Sequence, residues 1–396
     1  MELTRKQEEG LAMALEGYYN WEPYLCISGY AGSGKTTLVS HIIAALNLDP
    51  EEEVAYVAYT GKAAKVLSSK GNPNATTIHK LIYKAKLMPN GKYLFSLRKQ
   101  LEKPYKVIVV DEVSMVPKKM WEELLGFGAF VIACGDPGQL PPVSSTDANG
   151  ILDKPHVFLD EIMRQAQDSE IIQLTMNIRE GKPLAPFKGK DVNIVRKKDM
   201  VSGMLTWADQ VLVGTNEART NLNNQIRAMQ GRGPEPEIGD KVISLHNQWD
   251  TISSTEAPLT NGSIGSLEAV KKSTFWLPPH IDNGKPLQCL VSSIKEDADD
   301  GIFFEIPIDY TSIKDGEPSL NPRQEYQLKK SKRYNGPIPM PFAYGYAITC
   351  HKAQGSEWSK VTVLEERFPF DREEHKRWLY TACTRASEKL TLILKD

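Results

Sequence analysis

The run Gly29-Tyr30-Ala31-Gly32-Ser33-Gly34-Lys35-Thr36-Thr37 constrains this chain more than any other feature. It satisfies the pattern G-x-x-x-x-G-K-[ST], and its flanks are those the pattern requires. Residues 24–28 before it predict a short buried strand, and residues 38–46 after it predict a helix. A strand, a glycine-rich turn and a helix N-terminus gather backbone N–H groups around a polyphosphate. In that arrangement Lys35 reaches the β- and γ-phosphates and Thr36 holds Mg²⁺. Gly29, Gly32, Ser33, Gly34 and Thr37 complete the cradle. A chance glycine-rich turn is the competing reading, and the strand and helix on either side argue against it. The pattern therefore predicts a bound nucleoside triphosphate.

The chain has 396 residues, room for two or three domains. With 41% apolar and 25% charged residues it reads as a globular protein. No apolar run approaches the ~20 residues that cross a bilayer, so no membrane is expected. The charged start Met1-Glu2-Leu3-Thr4-Arg5-Lys6 lacks a signal-peptide core. Five cysteines (Cys26, Cys134, Cys289, Cys350, Cys383) are scattered without a C-x-x-C pair, which suggests reduced thiols in a cytoplasm. A net charge of −2 gives no support to a generic nucleic-acid binder. It leaves room for a local basic groove.

Strand patterns at 24–28, 54–59, 106–110 and 130–134 alternate with helix patterns at 5–15, 38–46, 62–67 and 118–125. Such alternation predicts a parallel sheet covered on both faces. Pro89-Asn90-Gly91 lies between Lys86-Leu87-Met88 and Lys92-Tyr93-Leu94-Phe95, which predicts a β-hairpin insertion over 83–103. A second α/β pattern starts near 156, with helices at 170–179 and 217–227 and a strand at 211–214. From 262 to 340 the text is β-rich, at 273–277, 287–294, 301–306 and 323–328, and predicts a small β-barrel. α/β text resumes at 344–348, 361–365, 378–384 and 390–394. The expected class is α/β, with two lobes. The first lobe covers 1–82 and 104–155, with the hairpin at 83–103. The second covers 156–262 and 341–396, with the barrel at 263–340.

Val107-Ile108-Val109-Val110-Asp111-Glu112 is an apolar strand ending in two carboxylates. Asp111 is placed to hold Mg²⁺ and Glu112 to orient or deprotonate a water. An exposed acidic strand end is the alternative. Gly135-Asp136-Pro137-Gly138-Gln139-Leu140-Pro141-Pro142-Val143 follows another strand. The Gln139 amide, donor and acceptor at once, suits the γ-phosphate or its water. Considered alone, this loop is an ordinary turn.

In this order the motifs resemble those of superfamily 1 helicases, within them the superfamily 1B RecD-like and Dda-like group. Gln7, after Leu3-Thr4, is similar to that family's adenine-reading glutamine. Glu161-Ile162-Met163-Arg164-Gln165 and Tyr380-Thr381-Ala382-Cys383-Thr384-Arg385-Ala386 resemble the motifs that carry its two arginine fingers. The segment from Tyr346 to Glu357 resembles another, with Gly355 and Glu357 in its Gly-x-Glu element and Glu357 at the ribose. The resemblance implies two RecA-like lobes, ATP and Mg²⁺ as cofactors, and 5′→3′ movement on single-stranded DNA. Arg164 and Arg385 would stabilise charge on the transferring phosphoryl group. A surface ion pair is the bland reading of either one.

For the DNA track, the resemblance points to Thr60 and Lys62, to His79, to Asn261, and to Thr349, His351 and Lys352. His79 reads equally as structural, and Asn261-Gly262 equally as a turn. The hairpin matches the family's duplex-splitting pin, with Pro89, Tyr93 and Phe95 on it. Phe95 either stacks on a base or anchors the hairpin. The basic run Lys329-Lys330-Ser331-Lys332-Arg333 either touches DNA or is a solvated face. The implied partners are single-stranded DNA, forked duplex DNA, and a single-stranded-DNA-binding protein or replisome or recombination proteins. The implied setting is a monomer in a bacterial or phage-infected cytoplasm. Two rivals stay open: an RNA-directed helicase of the same superfamily, and an ATP-dependent DNA-binding or remodelling protein that does not unwind.

Overall fold

The computed structural model describes residues 3–72, 74–87, 93–141, 149–163, 168–246, 252–254, 259–297, 301–331, 338–367 and 371–395. Pro89, Arg164, Lys332 and Arg333 lie outside the described residues, as do the side chains of Tyr93 and Lys329. The chain forms two compact units. One joins Met1–Lys84, Ser96–Met204 and Ala353–Asp396; the other joins Ala85–Phe95 and Leu205–Lys352.

In chain order the strands up to residue 159 are β1 (Tyr24–Gly29), β2 (Val54–Ala58), β3 (Thr76–Thr77), β4 (Tyr83–Leu87), β5 (Tyr93–Leu97), β6 (Val107–Asp111), β7 (Phe130–Gly135) and β8 (Val157–Leu159). Six of them form one sheet in the order β3-β2-β6-β7-β1-β8, with every neighbouring pair parallel. Among the described residues, β4 and β5 form a separate two-stranded sheet. The central strands are continuous apolar runs because both faces are covered. Successive side chains point to opposite faces. Leu25, Ile27, Val107, Val109 and Ile132 pack with Leu38 and Ile42 of helix α2 (Lys35–Ala45) and Ala14 of helix α1 (Arg5–Tyr19). Cys26, Ile108, Val110, Val131 and Ala133 pack on the other face, against Ile78 and Ile82 of α4 (Ile78–Ile82) and Trp121 and Leu124 of α5 (Lys118–Leu125). Helix α3 (Gly61–Ser69) follows β2.

The same unit holds a second, mostly parallel group. Trp358–Leu364 and Val192–Arg196 each run parallel to Ala386–Leu394, and Phe187–Lys188 adds an antiparallel edge. Helices Glu170–Arg179 and Arg372–Cys383 pack against it.

In the other unit Gln210–Val213 runs parallel to Ala347–Thr349. A seven-stranded antiparallel sheet fills most of the rest, closing on a core that includes Phe303, Ile306 and Phe342. The α/β class expected from the sequence is the class that forms. One local expectation is corrected: residues 323–328, grouped with the strands, lie in a helix, Pro322–Lys330. Asn321 and Gln324 form a capping box there, and Pro322 sits in the first turn, where it loses no helical hydrogen bond.

Candidate nucleotide and nucleic-acid sites

Neighbouring parallel strands bring their carboxyl ends to one edge of a sheet, and that edge is where α/β sheets bind ligands. β6, β7 and β1 are neighbours and end at Asp111, Gly135 and Gly29. The phosphate loop leaves β1 with Gly32 and Gly34 in the left-handed region, at φ of 77° and 80°. A Cβ on Gly29 would lie 2.5 Å from Ser33 Oγ, and one on Gly34 would lie 2.5 Å from Gln7 Nε2. Helix α2 begins at Lys35, so its unpaired N–H groups point into the loop. Lys35 Nζ donates to the carbonyls of Gly29 and Tyr30, at 2.7 and 3.2 Å. The Ser33 hydroxyl is buried without a hydrogen-bond partner. Thr36 is exposed on the first turn of α2, and Thr37 is half-buried. A glycine cradle, an orphaned hydroxyl and an adjacent ammonium fit a polyphosphate.

Asp111 and Glu112 sit beside that loop. Burial, then the neighbouring Glu112 charge, push the Asp111 carboxyl up, and Lys35 opposes the rise. A divalent cation would relieve the same stress, which fits Asp111 and Thr36 as Mg²⁺ ligands. Glu112 has φ 52° and ψ 43°, a left-handed backbone that a non-glycine residue adopts at a cost of ~1–3 kcal/mol. Its N–H donates to Asp111 Oδ1 at 3.0 Å. Arg385 is buried, with Nη1 3.9 Å from Glu112 Oε1. Its Nε donates to the Thr381 carbonyl at 3.1 Å, and Nη1 to the Ser356 carbonyl at 3.3 Å. Gln139 is half-buried in the loop after β7.

Other residues singled out from the sequence lie next to this centre with protein partners of their own. Gln7 is fully buried. Its Oε1 accepts from Thr4 N at 3.0 Å, and its Nε2 donates to the Gly34 carbonyl at 3.3 Å. It thereby caps α1 and fastens that helix to the phosphate loop. Gly355 packs on the start of α3, where a Cβ would meet Thr60 Oγ1 at 3.0 Å. Glu357 pairs with Lys70 at 2.7 Å, and Lys70 in turn helps hold down the Asp111 carboxyl.

Two family models match the chain: an AAA domain over residues 2–204, and a UvrD-like helicase C-terminal domain over residues 344–393. The chain is 26% identical over 395 residues to the ATP-dependent RecD2 DNA helicase of Deinococcus radiodurans, which covers 92% of this chain and 46% of RecD2. It is 28% identical to the ATP-dependent DNA helicase Dda of phage T4, over 69% of each protein. The chain belongs to the superfamily 1B helicases of the RecD, Pif1 and Dda type. The fold of this chain agrees with a crystal structure of Bacteroides Pif1 bound to single-stranded DNA, with a TM-score of 0.50 at 18% identity over 100% of this chain and 92% of that one. The chain spans about half the length of RecD2.

The nucleic-acid candidates fall into separate groups. In the first unit, Thr60 caps α3, accepting from Ala63 N at 3.2 Å, and Lys62 lies in the first turn of that helix. His79 packs on Tyr83 with ring centroids 4.6 Å apart, and burial pulls its pKa down. In the second unit, Lys352 Nζ donates to Asn261 Oδ1 at 2.6 Å. Burial, then the nearby Arg219, lower the Lys352 pKa. His351 is lowered by burial, and Thr349 is buried at the end of its strand. Phe95 is half-buried on β5.

Sequence reasoning gave no role to Tyr380, Asp136 or Arg179. The Tyr380 hydroxyl accepts from Ala31 N at 2.9 Å and donates to Asp136 Oδ2 at 2.7 Å. The Arg179 guanidinium lies 3.7 Å from the centroid of the Tyr30 ring. Neither Tyr380 nor Arg179 stands out in its own neighbourhood: Tyr380 shares its helix with a second hydroxyl, that of Thr381.

Proposed function

We propose that this chain is an ATP-dependent DNA helicase that moves 5′→3′ along single-stranded DNA and separates duplex with the β4–β5 hairpin. The observation that carries the proposal is the meeting of the phosphate loop, the Asp111–Glu112 pair and Arg385 within one compact unit. ATP would lie in the loop, its phosphates on the α2 N-terminus and Lys35. Mg²⁺, when bound, supplies charge neutralisation at the β- and γ-oxygens, and Thr36 and Asp111 would hold it. Glu112 would orient the attacking water and take its proton. Gln139 would contact that water or the γ-phosphate. Arg385, together with Arg164, would stabilise charge as the terminal phosphoryl group leaves. Gln7 at the adenine and Gly355 and Glu357 near the ribose are further proposed contacts.

The DNA backbone would be held by Thr60, Lys62 and His79 in one unit and by Asn261, Thr349, His351 and Lys352 in the other. Hydroxyl, amide and ammonium groups read phosphates without reading sequence, as a translocating motor requires. Pro89 and Phe95 would form the wedge of the hairpin.

The test is the ATPase rate alone, with oligo-dT and with oligo-U, followed by unwinding of forks tailed on one strand or the other. Stimulation by oligo-dT and unwinding from a 5′ tail are expected. Better stimulation by oligo-U would replace DNA with RNA as substrate. ATPase without unwinding of either fork would leave a DNA-dependent remodelling protein.

A further inference from the structure

Tyr380 lies in the interior of helix Arg372–Cys383, buried, with its phenol aimed at the nucleotide site. The hydroxyl is used fully. It accepts from the Ala31 N–H inside the phosphate loop at 2.9 Å and donates to Asp136 Oδ2 at 2.7 Å. Asp136 is itself 4% exposed, immediately after β7, and its other oxygen accepts from Gly138 N at 2.8 Å. One residue further along the helix, Thr381 Oγ1 accepts from Leu140 N at 2.8 Å. Gln354 Nε2 closes the same loop by donating to the Leu140 carbonyl at 2.8 Å. A Cβ on Gly138 would lie 3.0 Å from the Tyr380 ring. The loop bearing Gln139 is thus held at both ends by the helix that ends just before Arg385, and the phosphate loop is held by that helix's Tyr380.

We propose that Tyr380 is a positioning residue for ATP hydrolysis. Its hydroxyl fixes the phosphate-loop backbone at Ala31 against Asp136, so that the loop, Gln139 and Arg385 keep one mutual geometry. The inference rests on the ATPase reading. It adds a residue that reaches no phosphate itself: its hydroxyl is spent on a loop amide and a buried carboxylate. A hydrogen bond to a buried carboxylate is charge-assisted and strong for its size, and a small displacement of positioned groups costs rate far more than it costs binding.

The experiment compares Tyr380→Phe, Asp136→Asn and the double variant in the full chain. Thermal unfolding, affinity for a fluorescent ATP analogue and single-turnover ATP hydrolysis are measured for each. Tyr380→Phe keeps the ring and loses only the hydroxyl. It is expected to bind the analogue within about threefold of the parent and to hydrolyse ATP about tenfold or more slowly. Asp136→Asn is expected to show the same split. The double variant is expected to be little worse than either single one, because Tyr380→Phe removes the shared link and Asp136→Asn strips the charge that strengthens it. Parental hydrolysis by Tyr380→Phe, or losses that multiply in the double variant, would overturn the inference. So would a loss of analogue affinity as large as the loss of rate, which is what a merely structural role produces. If Tyr380→Phe does not fold, Asp136→Asn decides alone: slowed hydrolysis at parental affinity supports the proposal and parental hydrolysis overturns it. Lys35→Ala is the separate control. Parental hydrolysis by that variant would defeat the nucleotide-site reading itself, whereas an inactive Lys35→Ala beside a fully active Tyr380→Phe would defeat only this inference.

Discussion

Among the described residues, the buried charges around Asp240 and around Arg385 are built in opposite ways. In the second unit the Asp240 carboxylate is completely buried. It accepts from Arg227 through Nε and Nη2, both at 2.9 Å, from Glu237 N at 2.7 Å and from the Tyr346 hydroxyl at 2.9 Å. Arg227 also lies over the Tyr344 ring, 4.2 Å from its centroid. Every acceptor site is filled by the protein. In the first unit, Arg385 and Glu112 face each other at 3.9 Å, too long for a hydrogen bond, Glu112 has a strained backbone, and the phosphate loop of the same unit carries the orphaned Ser33 hydroxyl. A closed network has nothing left to offer a ligand. An open one leaves a charged pair unbonded to each other and the Ser33 hydroxyl without a partner, and that is the condition for chemistry.

The largest expected effect breaks the closed network. Asp240→Ala leaves Arg227 buried and uncompensated, and the chain should lose ~3–5 kcal/mol of stability by urea unfolding. A loss below ~1 kcal/mol would mean that the pair is as open as the other cluster. Glu112→Gln sharpens the contrast from the other side. It keeps the shape and removes the base, so the ATPase rate should fall ~10²–10⁴-fold. The urea midpoint should stay close to the parent's. If Glu112→Gln instead destabilised the chain as Asp240→Ala does, the first cluster would be structural too.

A third substitution asks whether Lys352 belongs to the open or the closed kind. Its ammonium is bonded to Asn261 and crowded by Arg219. As a phosphate contact, Lys352→Ala should weaken single-stranded DNA binding evenly across sequences. It should also reduce the slope of log affinity against log salt by about one. An unchanged slope with lowered stability would class it with Arg227.

What was legible in the sequence was local. The phosphate loop, its strand and its helix occupy one unbroken run, residues 24–45, and the strand ends at Asp111 and Gly135 are marked by an abrupt change from apolar to polar. Gly-Lys-Thr and Asp-Glu were therefore both legible as parts of one Mg²⁺–nucleotide site. The Tyr380–Asp136 link was not legible, because its partners are 244 positions apart and neither is unusual in its own neighbourhood. Gln7 shows a subtler limit. A contact with adenine was implied by the family resemblance, but its engagement in a capping box with Thr4 depends on where α1 starts. The sheet of the second unit was legible as β-rich text, whereas its helix Pro322–Lys330 was absorbed into that text. The stop-and-start signal Asn321-Pro322 with Gln324 was present, and the polar alternation of the next residues masked it.

That helix supports the smallest prediction, and it tests whether the cap or the core decides the segment. Nine residues are too few to hold a helix by propensity alone. Leu328 is almost fully buried and packs in a satellite cluster with Leu277, Ile281, Leu287 and Leu320. Asn321 Oδ1 accepts from Gln324 N at 2.9 Å, while Gln324 Oε1 accepts from Asn321 N at 3.0 Å. Asn321→Ala removes the first bond and leaves a helix N–H to water, so the cost should be ~0.5–2 kcal/mol. Asn321→Asp keeps the acceptor and adds a charge that favours the helix N-terminus, so it should restore most of that loss. Thermal unfolding of both variants checks the pair of outcomes. Equal stability of Asn321→Ala and the parent would assign the helix to Leu328 and its cluster, and the cap would then mark where the helix begins without contributing to its persistence.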